Sequence, residues 1–114
     1  MNRVAKFGMW KKYGSHKVER NGIHYDSKLE SKVGWELELR QKAGEIKEIQ
    51  RQVDFPMVIN GRKVCTYRAD FLVTFSDDTQ GVYEAKGLML PMGSLKLKMF
   101  EALYPDIALT IVRQ

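Results

Sequence analysis

The chain has 114 residues, and its hydrophobic content of 44% is sufficient for one domain with one modest core. With 19 Lys and Arg residues against 14 Asp and Glu residues the formal net charge is +5, which favours nucleic acid as a partner, although a soluble domain with a solvated basic surface fits the charge equally well. Cys65 is the only cysteine, which excludes an internal disulfide, and no apolar run reaches the roughly 20 residues of a membrane span or forms a signal-peptide core, so we expect a cytoplasmic protein.

The first 15 residues are basic with interleaved aromatic side chains and no clean period, and we interpret residues 1–15 as an N-terminal arm. Two interpretations of the arm remain open. Its cations could meet phosphates while its rings stack on bases, or Phe7 and Trp10 could pack on the domain or on a partner chain. Residues 16–114 then form a single domain, which begins with a small hairpin around the Asn21-Gly22 turn signal.

A first helix is predicted over residues 27–43, and Gly44 is a favourable residue for it to end on. Its apolar stripe repeats every four residues, at Leu29, Val33 and Leu37. Glu30 lies beside that stripe and has two interpretations. With Ser27 it matches a capping box, in which its carboxylate only binds backbone N–H groups, or it serves a site on the sheet that this helix covers.

Three strands follow, joined by short turns. A polar stretch at residues 45–50 leads out of the helix, and residues 53–59 form a strand that is bent or at a sheet edge, because Pro56 cannot donate a ladder hydrogen bond. An Asn-Gly turn leads into a long strand over residues 62–75, and a Ser-Asp-Asp-Thr turn leads into a strand over residues 81–86. Three antiparallel strands in succession form a meander.

A loop over residues 87–93 precedes a second helix over residues 94–104, with Ser94 as its cap. Its apolar side comprises Leu97, Phe100, Leu103 and Tyr104. Pro105 ends this helix, and residues 108–112 form a last, mostly apolar strand. The predicted fold class is therefore α/β in the α+β arrangement. Its order is helix, three-stranded antiparallel meander, helix and strand, after the arm and the small hairpin.

A cluster of charged residues is predicted where the second and third strands pair. Side chains alternate along a strand, which places Asp70, Leu72 and Thr74 on one face and Ala69, Phe71, Val73 and Phe75 on the other. On the next strand Glu84 and Lys86 share a face, opposite Ala85. Hairpin pairing can bring Asp70 beside them. Acid-x-Lys occurs four times in the chain, but only this copy lies in a strand whose partner carries an acid.

Two carboxylates with a backbone carbonyl suit Mg²⁺ or Mn²⁺, because these ions prefer oxygen ligands. Such an ion lowers the pKa of a water molecule and stabilises charge on a phosphoryl oxygen, while a lysine such as Lys86 can orient the water or offset charge in the transition state. Glu30 is the one well-placed acid ahead of the sheet that could supply a third carboxylate. This donor set and the basic charge of the chain favour a phosphodiester as substrate.

Two segments of the chain resemble the PD-(D/E)XK nuclease signature, Arg68-Ala69-Asp70-Phe71 and Tyr83-Glu84-Ala85-Lys86-Gly87. The predicted order of elements is similar to the restriction-endonuclease-like core of that superfamily, in which the position of Ala69 varies. Residues 12–114 more closely resemble small bacteriophage endonucleases similar to the endonuclease-I-type Holliday junction resolvases. The matching segments are Lys12-Tyr13-Gly14, Gly22-Ile23-x-Tyr25-Asp26-Ser27-Lys28-Leu29-Glu30, Ala43-Gly44-Glu45-Ile46, Tyr67-x-Ala69-Asp70-Phe71 and Glu84-x-Lys86-Gly87.

The resemblance implies a role for each matching residue. Asp70, Glu84 and the carbonyl of Ala85 would be metal ligands, and Lys86 would be the catalytic lysine. The resemblance also favours Glu30 as a further metal ligand over Glu30 as a cap. It implies Mg²⁺ as cofactor, which Mn²⁺ can replace, and hydrolysis of DNA that leaves a 5′-phosphate and a 3′-hydroxyl.

The leading hypothesis is a metal-dependent endodeoxyribonuclease that resolves or nicks branched DNA, such as Holliday junctions, during phage DNA processing in the host cytoplasm. Resolution needs two symmetric cuts, which implies a homodimer. The alternatives are a nuclease or nickase for linear duplex or single-stranded DNA, and a non-catalytic nucleic-acid-binding module whose acids form ion pairs. The residues predicted to contact DNA, each with a solvated surface residue as the alternative, are Lys11, Lys12, His16, Lys17, Gln52, Lys96 and Lys98.

Overall fold

A computed structural model describes residues 28–113 in full and residues 18–20 and 23–25 as backbone. The elements in chain order are β1 Val18–Arg20, β2 Ile23–Tyr25, α1 Lys28–Lys42, β3 Ile46–Ile59, β4 Arg62–Phe75, β5 Gln80–Lys86, α2 Pro91–Leu103 and β6 Ile107–Arg113. The strands β1 and β2 pair antiparallel, as the predicted small hairpin requires. The predicted arm at residues 1–15, the Asn21-Gly22 turn and the helix cap at Ser27 lie outside the described residues.

The sheet has four strands in the order β3-β4-β5-β6. The first three form the predicted antiparallel meander, and β6 pairs parallel to β5, which makes the sheet mixed. The predicted α+β order of helix, meander, helix and strand is therefore confirmed. Pro56 lies on β3, an edge strand as predicted, where a missing N–H interrupts no central ladder. Neither helix in the described part of the chain is long and apolar enough to cross a membrane.

Two boundaries differ from the prediction by more than one residue. The strand β3 begins at Ile46, so the assignment of residues 45–50 to a connection was wrong. Its pairing with β4 continues as far as Ile46 opposite Phe75. Because β3 is an edge strand, most side chains at its start are exposed or only partly buried, and the sequence there shows no alternation of apolar and polar residues. The helix α2 begins at Pro91 and not at Ser94. Proline is favourable at the first helical position, because its missing N–H would have no partner there.

Each helix covers its own apolar cluster on the sheet. The α1 cluster consists of the buried residues Val33, Leu37, Ile46, Phe71 and Val73. The α2 cluster consists of the buried residues Phe55, Met57, Tyr67, Ala69, Leu72, Val82, Leu97 and Phe100. Neighbours such as Leu72 and Val73 belong to different clusters, so the two helices cover opposite faces of the sheet. The helix α1 ends before Gly44, as predicted, and the φ of 89° at Gly44 is the left-handed conformation that glycine favours after a helix.

The alternation of side chains reverses in the middle of β3 and β4. Ala69 belongs to the α2 cluster, whereas Phe71 belongs to the α1 cluster, so the prediction that they share a face was wrong. The same reversal occurs on β3, where regular alternation would place Arg51 and Val53 on one face. Val53 packs on the α2 cluster, whereas Arg51 lies over the ring of Phe71 in the α1 cluster. The register pairs Arg51 with Phe71 and Val53 with Ala69, which places both reversals at one level, that of Gln52 and Asp70.

Candidate active site

The charged residues meet where β4 and β5 separate. The backbone pairing of these strands runs from Thr74 opposite Gln80 to Phe71 opposite Tyr83 and goes no further. Beyond the last pair, the N–H of Ala85 donates to Asp70 Oδ2 at 2.9 Å. A side-chain carboxylate therefore accepts the hydrogen bond that a backbone carbonyl of β4 would accept if the pairing continued. The prediction that Asp70 lies beside the Glu84–Lys86 strand is confirmed.

Glu84 is buried, with 4% of its surface exposed, and both of its oxygens have partners. The hydroxyl of Tyr67 donates to Oε1 at 2.5 Å, and Lys86 Nζ lies 3.1 Å from Oε2. Glu84 and Lys86 thus share a side of β5, as predicted. Burial, followed by the charge of Glu84 and the hydrogen bond to its carboxylate, raises the pKa of the Tyr67 phenol far above its usual range, so the hydroxyl keeps its proton and donates to Glu84.

Glu30 lies in the first turn of α1 and is also buried, with 6% of its surface exposed. The amide Nε2 of Gln52 on β3 donates to Glu30 Oε2 at 3.0 Å. The carboxylate therefore faces the sheet, and its charge acts on Asp70 (below). This arrangement favours the site role that was one of two interpretations of Glu30. The serine of the alternative capping box, Ser27, lies outside the described residues.

The electrostatics of the cluster are dominated by excess negative charge. Burial, followed by the charges of Glu84 and Glu30, raises the pKa of Asp70 well above its ordinary value. The N–H of Ala85 and the ammonium of Lys86 act in the opposite direction and do not cancel this rise. Three carboxylates thus lie in a partly desolvated site with one lysine, which leaves the cluster short of positive charge.

Within the described residues, no group of three Asp, Glu, His or Cys side chains has the arrangement of a metal-binding site. The carboxylates instead hold donors of the protein itself, which are the Tyr67 hydroxyl, the Lys86 ammonium, the Ala85 N–H and the Gln52 amide. The atoms of the cluster that could bind a metal are nonetheless all oxygens, and they carry excess negative charge. This combination fits a hard divalent cation such as Mg²⁺. The predicted ligand set of Asp70, Glu84, Glu30 and the Ala85 carbonyl remains a prediction.

The residues predicted to contact DNA are scattered over the chain. Lys96 donates from Nζ to the carbonyl of Thr66 at 2.9 Å, Lys98 is exposed on α2, and Gln52 donates into the site. The other four, which are Lys11, Lys12, His16 and Lys17, lie outside the described residues. No role for Tyr67 was predicted from the sequence. The one available signal was that a tyrosine in a buried strand needs a partner for its hydroxyl.

The raised pKa of Asp70 predicts how stability depends on pH. A carboxyl group with a higher pKa in the folded state than in the unfolded state binds more protons when folded, so the free energy of unfolding falls as pH rises between those two values. Asp70→Asn removes the charge and retains an acceptor for the Ala85 N–H. We expect it to raise the free energy of unfolding at pH 7 by about 1 kcal/mol, or the Tm by roughly 4 °C, with a smaller gain near pH 4.

Thermal unfolding of both proteins between pH 4 and pH 8 measures this difference. Asp54→Asn is the matched control, because Asp54 forms an exposed ion pair with Arg68 at 2.7 Å, and removal of an exposed pair costs about 0–1 kcal/mol. A lower Tm for Asp70→Asn than for wild type at pH 7 would show that its charge stabilises the fold.

The described chain is therefore an α+β domain with a buried acidic cluster and one lysine at the point where two strands of a mixed sheet separate. Residues 10–114 match the family described as "Protein of unknown function (DUF1064)", and the chain belongs to that family. No curated protein matches the chain.

Proposed function

We propose that the protein is a Mg²⁺-dependent endodeoxyribonuclease of the PD-(D/E)XK type that cuts branched DNA. The observation that carries the proposal is the convergence of carboxylates from α1, β4 and β5, which are Glu30, Asp70 and Glu84, with Lys86 at the end of β5. Burial and the neighbouring carboxylates oppose the charge of Asp70, and carboxylates in such surroundings are typical of functional sites. A surface that only bound DNA would gain nothing from buried negative charge.

Asp70, Glu84 and the Ala85 carbonyl would hold the metal, with Glu30 as a further acid. When bound, the ion would supply a water molecule of lowered pKa and stabilise charge on the phosphoryl oxygens. Tyr67 holds one oxygen of Glu84 and thereby fixes the direction in which that carboxylate points. The oxygen set and the shortage of positive charge support this assignment.

Lys86 is the residue we assign to the reacting phosphate. Its ammonium lies 3.1 Å from Glu84 Oε2 at the end of β5, and a lysine ammonium at this position would orient the attacking water or offset charge on a phosphate oxygen. In the reaction the oxygen of water forms a bond to phosphorus and the bond from phosphorus to the 3′-oxygen breaks. The attacking water gives up one proton and the leaving 3′-oxygen takes one up, so the products carry a 5′-phosphate and a 3′-hydroxyl.

The net charge of +5 supports an anionic substrate, and the resemblance to junction-resolving endonucleases supports branched DNA. A four-way junction is the substrate of first choice. Resolution requires two symmetric cuts, so we propose that the protein acts as a homodimer.

Cleavage of a labelled four-way junction, beside a linear duplex and a single strand of matching sequence, tests the proposal. Each substrate is incubated with wild type in Mg²⁺ and in EDTA, and with Lys86→Ala in Mg²⁺. Lys47→Ala is the control, because Lys47 is an exposed lysine on β3 that pairs with Asp78 in the turn between β4 and β5. We expect symmetric cuts on the junction that need Mg²⁺, persist in Lys47→Ala and disappear in Lys86→Ala.

Other outcomes identify the alternatives. Equal cutting of junction and linear substrates would support a general nuclease or nickase with the same site. Tight binding of DNA with no cleavage in Mg²⁺ or Mn²⁺ would contradict the enzyme and support a binding module in which the acids and Lys86 form an ion network.

A further inference from the structure

Gln52 has a backbone conformation that its position does not explain. Three non-glycine residues of the described chain have positive φ, and two of them, Asn60 and Asp78, lie in turns between strands. Gln52, with φ of 55°, lies inside β3. The left-handed region is unfavourable for a residue with a β-carbon other than Asn or Asp, and such strain persists only where the surrounding structure imposes it.

The strained residue lies directly opposite Asp70. The register pairs Arg51 with Phe71 and Val53 with Ala69, so Gln52 and Asp70 occupy the level between them, where both strands reverse their alternation. A regular β3 would continue the alternation through this level. The reversal and the positive φ therefore set the direction in which the Gln52 side chain leaves the strand.

That direction leads to the site. The Gln52 amide reaches Glu30 on α1, with Nε2 donating to Oε2 at 3.0 Å, and this contact joins the helix acid to the strand that runs beside Asp70. The sequence predicted that Gln52, just ahead of the first core strand, contacts DNA. In the structure Gln52 lies within β3 and its amide donates to a buried carboxylate.

We infer that Gln52 is a positioning residue, whose left-handed backbone aims its amide at Glu30 and holds that carboxylate in place for a divalent cation shared with Asp70. This inference rests on the proposed function. Groups that orient the ligands of a metal commonly change its affinity 10- to 100-fold when they are removed.

The test measures Mn²⁺ binding by titration calorimetry, together with the Tm, for wild type, Gln52→Gly and Gln52→Asn. Glycine and asparagine both tolerate positive φ, and neither places an amide within reach of Glu30. We expect both variants to bind Mn²⁺ about 10- to 100-fold more weakly than wild type while their Tm stays within about 3 °C of wild type or rises. Asn60→Gly, a change at positive φ in a turn, should alter neither quantity.

Asp70→Asn separates this inference from the proposed function. If wild type binds Mn²⁺ and Asp70→Asn does not, while both Gln52 variants bind as wild type does, the metal site stands and the positioning role is overturned. A weaker binding that comes with a large fall in Tm also overturns it, because Gln52 would then act through the stability of the fold. If wild type binds Mn²⁺ no better than Asp70→Asn, both the metal site and the inference are overturned.

Discussion

Asp70→Asn is expected to reduce metal-dependent DNA cleavage by about 10³-fold or more, in a protein that folds at least as well as wild type. Asp70 lies at the point where β4 and β5 separate, and burial together with the charges of Glu84 and Glu30 opposes its negative charge. Asparagine retains the shape and the acceptor but is a poor ligand for Mg²⁺. Single-turnover cleavage of a junction at saturating Mg²⁺ measures the loss.

Asp54→Asn is again the matched control. Asp54 lies on the neighbouring strand and its carboxylate pairs with exposed Arg68, so its loss should leave cleavage within about twofold of wild type. Retention of wild-type cleavage by Asp70→Asn would remove Asp70 from the site. Combined with a raised Tm, the loss of cleavage would show that the same charge opposes stability and supports activity.

Phe100→Ala is expected to lower the free energy of unfolding by about 3–5 kcal/mol, a large part of the total for a domain of this size. The ring of Phe100 is fully buried in the α2 cluster. Its centroid lies 4.9 Å from that of Phe55 in an edge contact, 5.2 Å from that of Tyr67 and 5.3 Å from that of Tyr104. Truncation would leave a cavity among rings that come from β3, β4 and the end of α2.

Urea unfolding measures this loss, and Leu103→Ala on the same helix is its control. Leu103 is 36% exposed, so its truncation removes less buried area and should cost about 1 kcal/mol. Because Tyr67 also donates to Glu84, we expect any Phe100→Ala protein that remains folded to cleave less well. Similar losses of stability in the two variants would show that the α2 cluster is loosely packed around Phe100.

The order of elements could be predicted because its signals are local. Gly44, Asn60 and Gly61 all have positive φ in the structure, at the helix end and hairpin turn where the sequence placed them. The charged cluster could also be predicted from the sequence, because β5 is regular and its period of two places Glu84 and Lys86 on one side. A hairpin between β4 and β5 was then sufficient to place Asp70 beside them.

Other features depend on contacts between residues that are distant in the chain. The start of β3 at Ile46 follows from pairing with Phe75, and no period in the polar segment marks it. The hydrogen bond from Tyr67 to Glu84 joins residues 17 positions apart, and that from Gln52 to Glu30 joins residues 22 positions apart. No spacing rule along one strand connects such pairs.

The sequence by itself determined the fold class, the bounds of β4 and the identity of the acid and lysine cluster, because periodicity, turn residues and residue chemistry are properties of short segments. Only the tertiary structure decided which face each side chain of β4 occupies. Regular alternation failed there because Gln52 adopts a left-handed conformation opposite Asp70, and both strands reverse at that level. A glutamine inside a strand adopts that conformation only where the surrounding tertiary structure imposes it.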